Sequence, residues 1–350
     1  LAEVSEGGYG TAYRRYFRAL GVIFCFLTAA GAASCLLDRC LPFPPVPNVA
    51  ARFRYFTKHK DEFDTIFIGS SRFHNQIIPL EFDALNAARG VPTHSFNLAY
   101  SGMWPPESFY FVRQVLATHP AKLHWVVMEL MDYRFGAWEQ RPLQMRVVYW
   151  HDWTDTMFAC RYMLESELRP TEKICQIGLH LWLFLQRSAS PGRGYEWLRI
   201  RHVRPTEKED VGWEERAGFD PEPELSRLRK GRSRADFLRG VKEVRESLPE
   251  QPLRPGFEAA FKDLLGDFRR AGIEPIFVIP PTINRPENLV LGLPRGITVL
   301  RFNRPDKFPQ LFHPDMHYDA VHLNEKGAQE FTRLLAGYFA DHRKVMTEAR

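Results

Sequence analysis

Two short segments near opposite ends of the sequence carry side chains that cooperate in acyl chemistry. In the first, the apolar run Asp64-Thr-Ile-Phe-Ile-Gly69 passes directly into Ser70-Ser71-Arg72. Glycine and serine just beyond an apolar run mark a tight turn. A serine on such a turn exposes its hydroxyl, and its own N–H remains available to stabilise an oxyanion. In the second, Asp319-Ala-Val-His322 stands just before Asn324 and a helical pattern. An aspartate three residues before a histidine can hold the imidazole tautomer and stabilise the imidazolium, which is what a histidine needs to take a serine proton. Each segment alone has ordinary loop composition. Together they supply nucleophile, base and orienting acid.

The second segment also supports a metal reading. His313-Pro-Asp315-Met-His317-Tyr-Asp319 places His and Asp at every second position. On an extended chain these would share one face. With His322 they would offer ligands of the right type for a divalent ion. Metal ligands usually come from more than one segment, and a serine nucleophile already accounts for Asp319 and His322. No metal or cofactor is therefore expected, and His313 and His317 are read as rim or loop residues.

These side chains need elements to hold them. Strand-like apolar runs occur at Asp64–Gly69, Ser95–Ala99, His124–Leu130, Glu274–Pro280 and Gly296–Arg301. Helical periodicity lies between them, at Pro106–Thr118, Pro255–Ala271 and Asn324–His342, with Asn324 placed as a helix cap. Strands alternating with helices predict a parallel sheet covered on both faces. Ligands of such sheets bind beyond the carboxyl ends of the strands, the edge where Ser71 and His322 would both sit. Residues 134–253 are too long for a simple crossover and read as an insertion. Within it, Ile177-Gly-Leu-His-Leu-Trp-Leu-Phe-Leu185 reads first as a buried helix, with contact to lipid or a partner as the alternative.

The chain has 350 residues, 47 basic against 42 acidic, with 45% hydrophobic and 13% aromatic residues. Such a hydrophobic and aromatic content excludes a disordered chain. The net charge of +5 comes without a basic-aromatic stripe, so nucleic acid is not expected as a partner. One segment stands apart. Ala19 to Leu37 contains no charge. Its length is close to that of a bilayer-crossing helix. Arg14, Arg15 and Arg18 before it place the N-terminus in the cytoplasm and the rest of the chain outside. A signal peptide and a buried helix are the competing readings. Residues 1–40 are thus read as tail and anchor. Residues 41–60, opening with the proline-rich Leu41–Pro47, are read as an extended linker, and 61–345 as the α/β domain. Cys160 and Cys175 can pair in an oxidising compartment or remain free.

The chemical segments resemble the SGNH/GDSL hydrolase superfamily. Gly69-Ser70-Ser71 is similar to its first block, Gly-Asp-Ser, with Ser in place of Asp, a register that makes Ser71 the nucleophile. Phe96-Asn-Leu-Ala-Tyr-Ser-Gly102 is similar to the second block and points to Gly102 as an oxyanion donor. Asp319 and His322 match the fifth, Asp-x-x-His. The third block, Gly-x-Asn-Asp, is missing, and Glu129-Leu-Met-Asp-Tyr-Arg134 stands in its place. Asn97, Arg72 or a group from the insertion is then the candidate for the missing donor. Ile78-Pro-Leu-Glu-Phe-Asp83 and Gly102-Met-Trp-Pro-Pro106 further resemble a membrane-anchored bacterial branch, related to accessory proteins of alginate O-acetylation and of teichoic-acid D-alanylation.

The resemblance implies a three-layer α/β/α, flavodoxin-like sheet with an insertion, preceded by a transmembrane helix. It also implies an extracytoplasmic serine esterase or O-acyltransferase acting on acetyl esters of a carbohydrate or cell-envelope polymer, beside a multi-pass membrane protein. Trp104, Trp150 and Trp153 are candidates for a carbohydrate platform. The lost third block and the serine at position 70 in place of Asp motivate the alternative, a non-catalytic subunit of a membrane complex.

Overall fold

The computed structural model describes residues 7–40, 46–133, 145–189, 214–219, 228, 232–283 and 288–348. Most of the proline run, the start of the insertion and much of its charged portion lie outside these residues.

Five strands build one parallel sheet: β1 (Thr65–Ile68), β2 (Ser95–Asn97), β3 (Trp125–Glu129), β5 (Glu274–Ile279) and β7 (Thr298–Arg301), in spatial order β2-β1-β3-β5-β7. A separate two-stranded pair joins β4 (Gln251–Pro252) and β6 (Leu289–Leu291). In the main sheet the order reverses between β1 and β3, so a crevice opens beyond the carboxyl ends of these two neighbours. Ile68 lies beside Met128 in that register, and the residues just after each meet above the sheet edge.

Strand alternation separates two cores. Ile66, Ile68, Val126, Met128, Phe277 and Ile279 face one side, where they pack with α2 (Pro47–His59), α5 (Glu107–Leu116), α7 (Trp153–Glu165) and α10 (Pro255–Ala271). Phe67, Trp125, Val127, Ile276 and Val278 face the other, against α4 (Pro79–Ala88), α9 (Arg232–Glu246) and α11 (Glu325–Glu348). Both faces are covered, and β1 and β3 are buried throughout, which is why they read as continuous apolar runs.

One expectation changes. Residues 47–59, assigned to an extended linker, form helix α2. Pro47 occupies its first turn, where a missing N–H costs nothing. Val49, Ala50, Phe53 and Phe56 are buried on the sheet side. The insertion is partly helical: α6 (Met145–Val148), α7 and α8 (Pro170–Ala189) pack on one another, and residues 214–219 return to the edge of the sheet, where Ala217 O accepts from Asn97 N at 2.9 Å. Cys160 is buried and Cys175 exposed, both as free thiols, so the disulfide alternative is not formed.

Helix α1 (Gly7–Cys40) contains the apolar span Tyr13–Leu36, the one helix among the described residues long and apolar enough to cross a membrane. Only 6% of its most apolar window is buried, which sets it apart from a core helix of the α/β domain.

Candidate active site

The serine turn begins where β1 ends. Ser70 caps the short helix α3 (Ser71–His74), as serine commonly does. Its backbone is extended, and its Oγ accepts from Arg72 N at 3.3 Å. Ser70 is thereby buried and occupied. Ser71, the first helical residue, projects its hydroxyl outward, as the register with the Gly-Asp-Ser block implies.

His322 reaches Ser71 from the far end of the chain, with Nε2 2.8 Å from Ser71 Oγ. On its other side, His322 Nδ1 lies 3.1 Å from each carboxylate oxygen of Asp319. Asp319 Oδ1 also accepts from Val321 N and His322 N, both at 2.8 Å, so one carboxylate folds its own turn and orients the imidazole. Burial alone would push this carboxyl up. The hydrogen bond and positive charge of His322, with the two backbone N–H groups, outweigh that and hold it at about 2. Asp319 is therefore an anion at any working pH, the proton lies on Nδ1, and Nε2 is left to accept from Ser71. Behind the loop, Asn324 Oδ1 accepts from Gly327 N at 3.0 Å and caps α11 as the sequence suggested.

Glu129 is the residue that sequence reasoning missed. It ends β3, fully inside; its Oε2 accepts from Ser70 N at 2.6 Å, and its Oε1 forms an ion pair with Arg72 Nε at 2.6 Å. One carboxylate thus grips the residues on both sides of Ser71. Gly69 makes room for it, since a Cβ there would come within 2.8 Å of both Glu129 Cβ and Oε2. The available signal was an acidic residue closing an otherwise apolar, buried strand, because carboxylates are almost never fully buried unpaired.

This clamp revises the expected oxyanion donors. Asn97 is buried beneath the site; its Nδ2 donates to Phe73 O at 2.9 Å and Ile77 O at 3.2 Å, and its Oδ1 accepts from Ala99 N. It braces the turn from below and does not face the Ser71 hydroxyl. Arg72 is 3% exposed and directed at Glu129, so it too is structural. Gly102 lies on the loop that follows β2. Its loop is tied to the serine turn by Tyr100 N donating to Gly69 O at 3.0 Å. Its φ is 75°. That value lies in the left-handed region that favours glycine. Among the described residues, no backbone carbonyl accepts from the N–H of Ser71 or Gly102.

The metal reading fails on geometry. His313 to Asp319 is not an extended strand: residues 309–312 and 314–316 form two 3₁₀ turns. His317 is buried with Nε2 2.8 Å from Leu311 O and Nδ1 3.2 Å from Asp319 O, and desolvation lowers it to about 4 despite those bonds. His313 is exposed beside Asp315. No group of three potential ligands occurs among the described residues. Of the three tryptophans, Trp150 is buried against His151, at 3.7 Å between rings, and is not a platform. Trp153 lines a cavity with Arg113, Asp155 and Arg161 that contains no triad residue. Trp104 alone stays close in sequence to a site loop, two residues after Gly102.

No protein-family model and no curated protein matches the chain. The functional reading rests on these residues and their geometry.

Proposed function

We propose that the chain is a membrane-anchored, extracytoplasmic serine esterase or O-acyltransferase of the SGNH-like kind, acting on acyl esters of a carbohydrate or cell-envelope polymer. The observation that carries the proposal is the continuous relay from Ser71 Oγ through His322 to Asp319, at 2.8 and 3.1 Å. The doubly wound strand order and the position of the serine beyond β1 favour the flavodoxin-like, three-layer arrangement that the resemblance implies. The apolar helix α1 and the arginines before it favour an anchor with the domain outside the cytoplasm. A multi-pass membrane protein is the partner suited to hand acyl groups to such a domain.

In the reaction, Ser71 Oγ attacks the acyl carbonyl carbon as His322 Nε2 takes its proton. Asp319 stabilises the imidazolium. The tetrahedral oxyanion is met by the N–H groups of Ser71 and Gly102; losing one such donor typically costs about 2.7–4 kcal/mol of barrier. The C–O bond to the alcohol then breaks, and His322 returns the proton to the departing oxygen. The acyl-serine passes its acyl group to water or to a sugar hydroxyl activated by the same imidazole.

The non-catalytic reading drew on the missing third block. Glu129 stands at that position and holds the serine turn in place, a structural use of the strand end that supplies no oxyanion donor. Treatment of the detergent-solubilised full chain with a fluorophosphonate tests the two. Covalent capture on the Ser71 peptide, absent in Ser71→Ala, supports the enzyme. A folded protein that is never captured and turns over no acetyl ester supports the subunit.

A further inference from the structure

Helix α8 is amphipathic with the wrong face outward. Its exposed positions recur with helical spacing as Ile174, Cys175, Gly178, Leu181, Trp182 and Leu185, while His180 and Leu183 are fully buried on the opposite side. Ile174 is 70% exposed, and Trp182 and Leu185 are more than half exposed. The charged residues of α8, Glu172, Lys173 and Arg187, all lie off this stripe. Glu172 pairs with Arg169, Lys173 donates to Leu164 O, and Arg187 donates to Tyr110. An uncharged stripe of this length is not the normal water-facing side of a surface helix.

The neighbour of α8 indicates what covers it. Helix α1 packs against α8, and within the span Tyr13–Leu36 only Ala30, Gly31 and Ser34 lose exposure. The contact thus falls on the last turns of the span, at the end from which the α/β domain emerges. Ala30 lies about 9 Å from Leu36 along a helix rising about 1.5 Å per residue. In-plane helices bury their apolar face to about 5–10 Å in the boundary between headgroups and acyl chains. Trp153 is exposed, with its ring 5.8 Å from that of Phe184. Together with Trp182 it adds aromatic side chains of the type that settle at headgroup depth.

We propose that α8 lies in the plane of the bilayer interface, its Ile174–Leu185 stripe in lipid, as a second and non-spanning membrane contact of the domain. The proposal rests on α1 spanning the same bilayer. Two attachment points hold the domain in one orientation to the bilayer.

Native cysteines provide the probes. Cys25 lies within the span and Cys175 on the stripe, both exposed. Full-length variants keep one of these, with the other cysteines replaced by alanine, and carry a nitroxide in phosphatidylcholine–phosphatidylglycerol vesicles. Trp182→Cys extends the series, and Lys242→Cys, on the exposed side of α9, is the water reference. Only variants with the parent circular dichroism and melting transition are compared. Labels at Cys25, Cys175 and position 182 are expected to collide more with oxygen than with a water-soluble nickel chelate, and the label at position 242 the reverse. If Cys25 is lipid-like but Cys175 and position 182 behave like position 242, α8 is in water and the proposal fails while the anchor stands. If Cys25 itself is reached by the chelate, the anchor reading fails and takes this proposal with it. Labels at 175 and 182 that neither reagent reaches mean a protein surface covers the stripe, which also overturns it.

Discussion

Asp319→Asn separates the two jobs of one carboxylate. Oδ1 accepts from Val321 N and His322 N, and asparagine retains an oxygen for both bonds. Among the described residues, Oδ2 is bonded only to His322 Nδ1, at 3.1 Å. With the amide nitrogen in that place, Nδ1 has a donor at 3.1 Å, and the retained Oδ1, also at 3.1 Å, already accepts from two backbone N–H groups, so the ring proton is expected to move to Nε2. Nε2 then cannot accept from Ser71 Oγ, although the 2.8 Å approach is unchanged. The loop is kept and the base is lost. The wrong tautomer in a serine triad lowers turnover by about 10⁴-fold, which is about 5 kcal/mol of barrier. The second-order rate of fluorophosphonate capture, followed against pH, measures it. Wild-type capture should show no limb from Asp319, which is ionised above about 2. Asp319→Ala provides the contrast, because it strips an acceptor from two backbone N–H groups and adds a stability loss of about 1–3 kcal/mol. A rate for Asp319→Asn within about tenfold of wild type, or about 1.4 kcal/mol, would refute the reasoning, since His322 would then not depend on Asp319 for its tautomer.

Three further outcomes follow from the same geometry. Glu129→Gln sets an amide donor against Arg72 Nε in a buried site; breaking a buried pair costs about 3–5 kcal/mol, read as a lower denaturant midpoint with slowed capture at Ser71, and an unchanged midpoint would remove the clamp. Gly102→Ala forces a side chain into the left-handed region, where Gly102 sits at φ 75°. That costs roughly 1–2 kcal/mol and should slow capture by displacing an oxyanion donor; unchanged capture would exclude Gly102 from that role. His180 and His317 are lowered by burial to about 4. A lowered histidine favours the folded state fully above the unfolded value of about 6.5 and loses that contribution as pH falls toward 4. Selective ¹³C-histidine spectra should show the imidazoles of His180 and His317 still neutral at pH 5, alongside those of His74 and His151, which burial also lowers; midpoints near 6.5 for these four would contradict the buried assignments.

The sheet was legible because its strands are covered on both faces. Each central strand is a short apolar run ended by glycine, proline or charge, and all five predicted runs contain a strand. Helix α2 was hidden by its context. Prolines up to Pro47 announce an extended chain, yet proline at the first helical position leaves the following Val49, Ala50, Phe53 and Phe56 free to form a buried face. Helix α8 was misread for a different reason. Ile177–Leu185 is apolar on almost every side, so its period alone could not say which side meets the protein. Only the packing of His180 and Leu183 inward leaves Leu181, Trp182 and Leu185 outward.

The site divides in the same way between what is local and what is not. Asp319 and His322 are three residues apart, and the bond between them follows from a turn that a sequence can specify. Ser71 is recognisable from its own turn. Glu129 joins this turn through neither proximity in sequence nor a motif. It requires β1 and β3 to be adjacent, in the register that pairs Ile68 with Met128, and a residue at position 69 with no side chain. The missing Gly-x-Asn-Asp block suggested a lost oxyanion donor, to be replaced by Asn97 or Arg72. The structure gives both residues bracing work, and it gives the vacated strand end a carboxylate that binds Ser70 N and Arg72 Nε together. A buried anion is expensive to keep unless it is fully paired. That expense is met beside the one serine whose position the chemistry requires, which is a physical reason to expect that Ser71 is held for use.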